Sequence, residues 1–141
     1  MKRLLMMAFV AMGLAVMTSC TKDNSELILG TWVNTADTYE QYTFNGETEK
    51  ETTPAGQATI TFNENGTMTI TAHDDVDGSI ETWTDTYSVN GDNLILDGET
   101  YAIKQLDKKK LIFELSETDT WEEDGQTFTA LYTMHFDFDR K

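Results

Sequence analysis

From Leu29 to the end of the chain, apolar side chains recur at every second position. In the last stretch Phe128, Ala130, Tyr132, Met134, Phe136 and Phe138 alternate with Thr127, Thr129, Thr133, His135, Asp137 and Asp139. A period of 2 is that of a strand with one buried face, whereas a helix repeats every 3.6 residues. Shorter runs read the same way: Ala58-Ile60-Phe62, Met68-Ile70-Ala72, Trp83-Tyr87-Val89, Tyr101-Ile103 and Leu111-Phe113-Leu115. Threonine fills much of the opposite face, as suits a solvated sheet surface. The pattern predicts an all-β protein of eight strands, near 31–44, 58–63, 67–73, 80–89, 93–97, 100–106, 110–117 and 127–138. Asn63 to Gly66 and Asn90 to Asn93 are hairpin turns in which Asn and Gly supply positive φ angles. The first strand is long enough to bend or break near Asp37.

Connection lengths alternate. The segments 45–57, 74–79 and 118–126 are long, and 98–99 is the short exception among them; 64–66, 90–92 and 107–109 are tight. Such alternation suits an antiparallel up-and-down meander, with long connections at one end and tight turns at the other. Closing eight strands removes both edges and leaves an interior that is filled or holds one small ligand. A two-sheet sandwich is the competing arrangement, but Greek-key connections do not require this alternation. On the inward parity, Tyr42, Trp83, Tyr87 and Tyr132 are the candidates to line an apolar cup and orient a ligand. Ala58, Ala72 and Ala130 leave room there. Trp121, among acids in the last open-end connection, is expected to be exposed and is the fifth candidate for ligand contact.

Gly30-Thr31-Trp32, opening the first strand, resembles the G-x-W motif that begins lipocalins. Ala58 to Ile70, Ser88 to Leu96 and Tyr101 to Leu115 are similar to the repeated hairpins of lipocalin-like lipoproteins of Bacteroidetes, and the likeness runs over about 27–141. It implies a lipocalin-like barrel over 29–141. Arg140 shares the inward parity of Phe128 to Phe138, and in a meander the last strand ends beside the start of the first. Lipocalins close that end with an Arg or Lys over the G-x-W tryptophan. Gly30, Trp32 and Arg140 are therefore expected to form a structural closure.

The N-terminal stretch breaks the pattern. Lys2 and Arg3 precede a 14-residue uncharged run, Leu4 to Met17. A spanning helix needs roughly 20 apolar residues, so this is the length of a signal-peptide core. Thr18-Ser19-Cys20 follows and resembles a bacterial lipobox, which implies cleavage after residue 19 and acylation of Cys20. Residues 20–28 then form a tether. Thr21 to Glu26 resembles the charged signal that directs such lipoproteins to the cell surface. An outer-membrane lipoprotein is expected, surface display favoured over the periplasmic face. The one cysteine excludes an internal disulfide and a Cys-based zinc site.

Charge adds the remaining constraint. The 141 residues carry 25 acidic and 10 basic side chains, a formal balance of -15. Loss of residues 1–19 removes Lys2 and Arg3 and leaves -17 on 122 residues. Phosphate contacts need clustered Lys and Arg, so nucleic acid is excluded as a partner. Acids crowd the predicted open end, while Lys108, Lys109, Lys110, Arg140 and Lys141 gather at the tethered one. His73 to Gly78 matches a calcium loop only in part, failing at its first and twelfth positions. His135 falls on the outward parity. No nucleophile elbow, zincin, P-loop or dinucleotide signature is present. The expectation is a monomeric, non-catalytic protein without metal or cofactor, tethered through Cys20 and binding a small apolar or amphipathic ligand. The alternative is an interaction module with a filled barrel, binding a protein or glycan through acidic open-end loops.

Overall fold

Two-residue turns and one long curled ladder account for the architecture. The computed structural model describes residues 23–74 and 76–141; the predicted leader, Cys20 and Asp75 lie outside the described residues. A single turn of helix, α1 (Asn24–Leu27), precedes β1 (Gly30–Asn34), β2 (Tyr39–Phe44), β3 (Glu47–Thr52), β4 (Ala58–Phe62) and β5 (Thr67–His73). There follow β6 (Ile80–Asn90), β7 (Asn93–Leu96), β8 (Glu99–Leu106), β9 (Lys110–Glu123) and β10 (Gln126–Arg140). β1 and β4 to β10 pair in that order, and β10 returns to β1 through Trp32↔Arg140 and Asn34↔Phe138. The result is a closed eight-stranded antiparallel up-and-down barrel, the architecture lipocalins share.

The predicted first strand breaks near Asp37, as expected: β1 and β2 are both laid along β10 and separated at Thr35–Thr38. Two segments differ from the sequence pattern. Segment 45–57, expected to be a loop, contains β3. Asn45 (φ 50°) and Gly46 (φ 80°) make the two-residue turn into it. Segment 118–126, also expected to be a loop, is the outer part of a hairpin that turns at Asp124 (φ 53°) and Gly125 (φ 77°). Positive φ at both central residues gives a turn whose twist matches that of the flanking strands. β3 pairs with β2 alone, so β3, β2 and the outer halves of β10 and β9 form an apron above the closed part of the barrel.

The lower half is filled. Trp32, Phe62, Phe113, Phe138, Ile28, Leu94 and Leu111 are all under 2% exposed. Phe113 stacks on Phe136 at 4.8 Å and meets Tyr101 edge-on at 5.5 Å. The residues just before β1 pack against the barrel. Ile28 is fully buried, and the Asn24 amide donates to the Gly91 carbonyl at 2.9 Å, so α1 belongs to the closed end.

That end is capped by Arg140. Its guanidinium carbon lies 4.1 Å from the centre of the Trp32 ring. Its nitrogens donate to the carbonyls of Leu29 (2.6 Å), Leu27 (2.5 Å) and Lys108 (2.9 Å). The Trp32 indole donates to the Ile28 carbonyl at 2.7 Å. Gly30 has φ +110°, and a Cβ there would sit 2.7 Å from Arg140 Nη1, so two constraints demand glycine.

Candidate functional site

Above the packed core the barrel widens into a cup of about 330 Å³. That volume is at the small end of the range for ligand sites. Phe113, Phe136, Phe138, Met68 and Ile60 line its lower part, and Ile70, Ala58 and Trp83 its side. Thr38 and Thr53, which flank β2 and β3, close the gap beside β4. Asn34 holds that corner. Its side chain accepts from the Ala58 amide at 2.8 Å and donates to the Pro54 carbonyl at 2.9 Å.

The polar groups of the cup are acids and hydroxyls. Asp85, Asp97 and Glu99 line it, and among the described residues no Lys or Arg does. The short β7 brings two of them there, because its turn at Asp97 and Gly98 falls at the cup's edge. Tyr101 donates to Glu99 Oε2 at 3.1 Å. Burial first, and then this bond and the negative charge of Glu99 and Glu117, push the Tyr101 phenol up to about 12. An unfolded tyrosine ionises near pH 10. The folded state thus keeps this proton longer, and its stabilisation is complete below about pH 10 and lost as pH rises through about 12. Absorbance titration of tyrosinate is expected to show a last step near pH 12 that Tyr101→Phe removes. A wild-type titration finished by pH 11 contradicts the burial of Tyr101 against Glu99.

A second surface continues from the cup onto the apron. Register places Asp119, Ala130, Phe44 and Glu47 in one row across β9, β10, β2 and β3. Glu117, Tyr132, Tyr42 and Glu49 form the next. Aromatic rings thus run up the middle with carboxylates on both flanks. Trp121, Phe44 and Phe128 form one cluster, with Trp121 5.5 Å from Phe44 and 5.7 Å from Phe128. Tyr132 donates to Glu40 Oε2 at 2.9 Å. Burial, and then that carboxylate, raise its pKa and hold the phenol protonated to higher pH.

The five residues expected around one ligand therefore occupy three places. Trp83 lines the cup. Tyr42, Tyr132 and Trp121 are on the apron, with Tyr42 43% and Trp121 38% exposed. Trp121 is on a strand rather than in a loop. Tyr87 is turned to the closed end, where its hydroxyl donates to the Asn63 carbonyl at 2.7 Å and its ring meets Phe62 edge-on. It does not line the cup. Asp85 is the lining residue that the pattern conceals least, since it lies on the inward parity between Trp83 and Tyr87. In the 74–79 turn, Asp74 accepts from the Val76 amide and Asp77 from the Ser79 amide, so both carboxylates brace their own loop. His135 faces outward, stacked on Tyr39 and 3.0 Å from Glu114.

Among solved structures, the chain is similar to the siderocalin Ex-FABP, described as functioning through dual ligand specificities. The identity is 12% and the TM-score 0.36, over 82% of this chain and 71% of that one. No family model matches the chain, and no curated protein does.

Proposed function

We propose that this protein is a lipoprotein, anchored in the outer membrane through acylated Cys20, that takes a small apolar or amphipathic molecule into its barrel cup. The apolar cavity of about 330 Å³ beneath an open mouth carries the reading. Burial of apolar surface contributes roughly 25 cal/mol per Å², so even a short hydrocarbon tail gains several kcal/mol in such a space. The placement of α1 supports the orientation. The chain runs into the barrel at the closed end, so an anchor at Cys20 leaves the mouth facing away from the bilayer. Nothing in the cup resembles a nucleophile–base pair, and binding rather than catalysis is the proposed role.

The test uses an uncharged environment-sensitive dye, N-phenylnaphthylamine, whose emission rises in apolar surroundings. Wild type is expected to bind it, and Ala58→Phe, which fills the cup, to bind at least tenfold more weakly. Equal binding by both sinks the cup as the site. Cys20→Ala is expected to move the protein from the membrane to the soluble fraction of its host, and unchanged fractionation refutes the anchor.

The exposed aromatic stripe of the apron favours a second reading, in which a protein or glycan docks on Tyr42 and Trp121. In that case Trp121→Ala weakens partner binding and leaves the dye unaffected.

A further inference from the structure

We propose that the ligand of the cup is a cationic amphipath: an apolar tail in the cavity and an ammonium or guanidinium head at its edge, against Asp85, Asp97 and Glu99. The inference rests on the cup as the binding site and adds the chemistry of the head.

Charge complementarity carries it. The lower part and side of the cavity are hydrocarbon and aromatic, so they fit a tail and say nothing of charge. The groups that set charge are three carboxylates contributed by β6 and the β7–β8 turn, with no basic residue in the lining among the described residues. None of the three is engaged by a Lys, Arg or His among the described residues, whose ion pairs are Lys110 with Asp137 and Asp139, and His135 with Glu114. Asp85 is half-buried at the wall, two residues along the same face from Trp83. Tyr101 holds Glu99 in place. A fatty carboxylate lowered into this cup brings a fourth negative charge to a rim with no partner for it. A cation finds three carboxylates along the β6 to β8 side of the rim. Cations are also attracted to the faces of aromatic rings, and both Trp83 and Tyr101 line the cavity. The apron extends the same preference outward through Glu117, Tyr132 and Glu40. Screening over about 8 Å at physiological salt keeps the selectivity local to the rim.

Three probes with one tail separate the possibilities: decyltrimethylammonium, decanol and decanoate. Each is titrated by calorimetry, below its micellar concentration and at neutral pH, into full chain carrying Cys20→Ser so that no acyl chain or detergent competes. The ammonium is expected to bind at least about tenfold tighter than the carboxylate, a difference of about 1.4 kcal/mol. Asp85→Asn with Glu99→Gln collapses that ratio while decanol binding stays within twofold. Decanoate binding as tightly as the ammonium overturns the cationic head and leaves the cup standing. Failure of all three to bind overturns the cup and this inference with it. Ammonium binding that survives Ala58→Phe, or is matched by tetramethylammonium without a tail, is attraction to an acidic surface and also overturns it. Ile70→Phe serves the same purpose should Ala58→Phe fail to fold.

Discussion

Arg140→Ala is expected to lower the free energy of unfolding by about 3 kcal/mol, a large share of the total for a domain of this size. Its guanidinium lies over the Trp32 ring, an interaction of roughly 0.5–2 kcal/mol that grows as water is excluded. The same group donates to three carbonyls from two separate segments, Leu27 and Leu29 before β1 and Lys108 in the β8–β9 turn. Bonds from a charged donor contribute about 1.5–3 kcal/mol each, but bonds sharing one side chain do not add fully. Loss of Arg140 leaves Ile28 and Trp32 beneath an open hole. Arg140→Lys retains charge near the ring but lacks the planar fork that reaches several acceptors at once, so it recovers less than half. In urea, with a slope of about 2 kcal/mol per M, Arg140→Ala moves the midpoint down by about 1.5 M. A shift under about 0.5 M shows that the cap is not integral to the barrel. Gly30→Ala gives a second check. Its cost has a steric part, the clash with Nη1, and a backbone part from φ +110°. Only the steric part should vanish in the Arg140→Ala background.

The meeting of Arg140 and Trp32 was legible because it needed only parity and meander order, both of which derive from the buried face. The seven barrel strands from β4 onward followed for the same reason. β3 was not legible. Its sequence, Glu-Thr-Glu-Lys-Glu-Thr, has no apolar face, and every residue of it is exposed. Nor was the outer half of β9, Thr-Asp-Thr-Trp-Glu-Glu. Hydropathy reports strands that bury side chains. These segments are held by backbone pairing and by cross-strand contacts such as Thr43 with Thr48 and Thr120 with Thr129. The signal that marks them is turn chemistry: Asn45-Gly46 and Asp124-Gly125 demand positive φ at consecutive residues. Because both were read as loops, the acids of the open end looked like scattered loop charge. Register arranges Glu47, Glu49, Glu117 and Asp119 on either side of an aromatic stripe instead.

Asp137→Ala is expected to cost about 2–3 kcal/mol and to loosen the cup without touching a lining residue. On the outward parity an aspartate is ordinarily solvated, yet Asp137 is 5% exposed. The break between β1 and β2 covers it. Its carboxylate accepts from the Thr35 hydroxyl at 2.7 Å and from Lys110, and its carbonyl accepts from the Thr35 amide and the Thr38 hydroxyl. Burial alone favours the neutral lysine, but Asp137 and Asp139 outweigh it and raise the Lys110 ionisation. That contribution is complete below the ordinary lysine value near 10.4 and lost as pH rises through the folded one. Alanine keeps the carbonyl but strands the Thr35 hydroxyl and leaves Lys110 with Asp139 at the surface. Asp137→Asn keeps an acceptor for Thr35 and should cost about half as much, mainly by losing the ion pair. Thr35 opens the break and Thr38, which ends it, lines the cup, so a break released at Thr35 frees the wall beside β4. Hydrogen exchange at the Thr35 and Thr38 amides should therefore quicken more than exchange in β8 and β9. A uniform increase across the barrel would mean that Asp137 acts only on global stability, with no local hold on the cup.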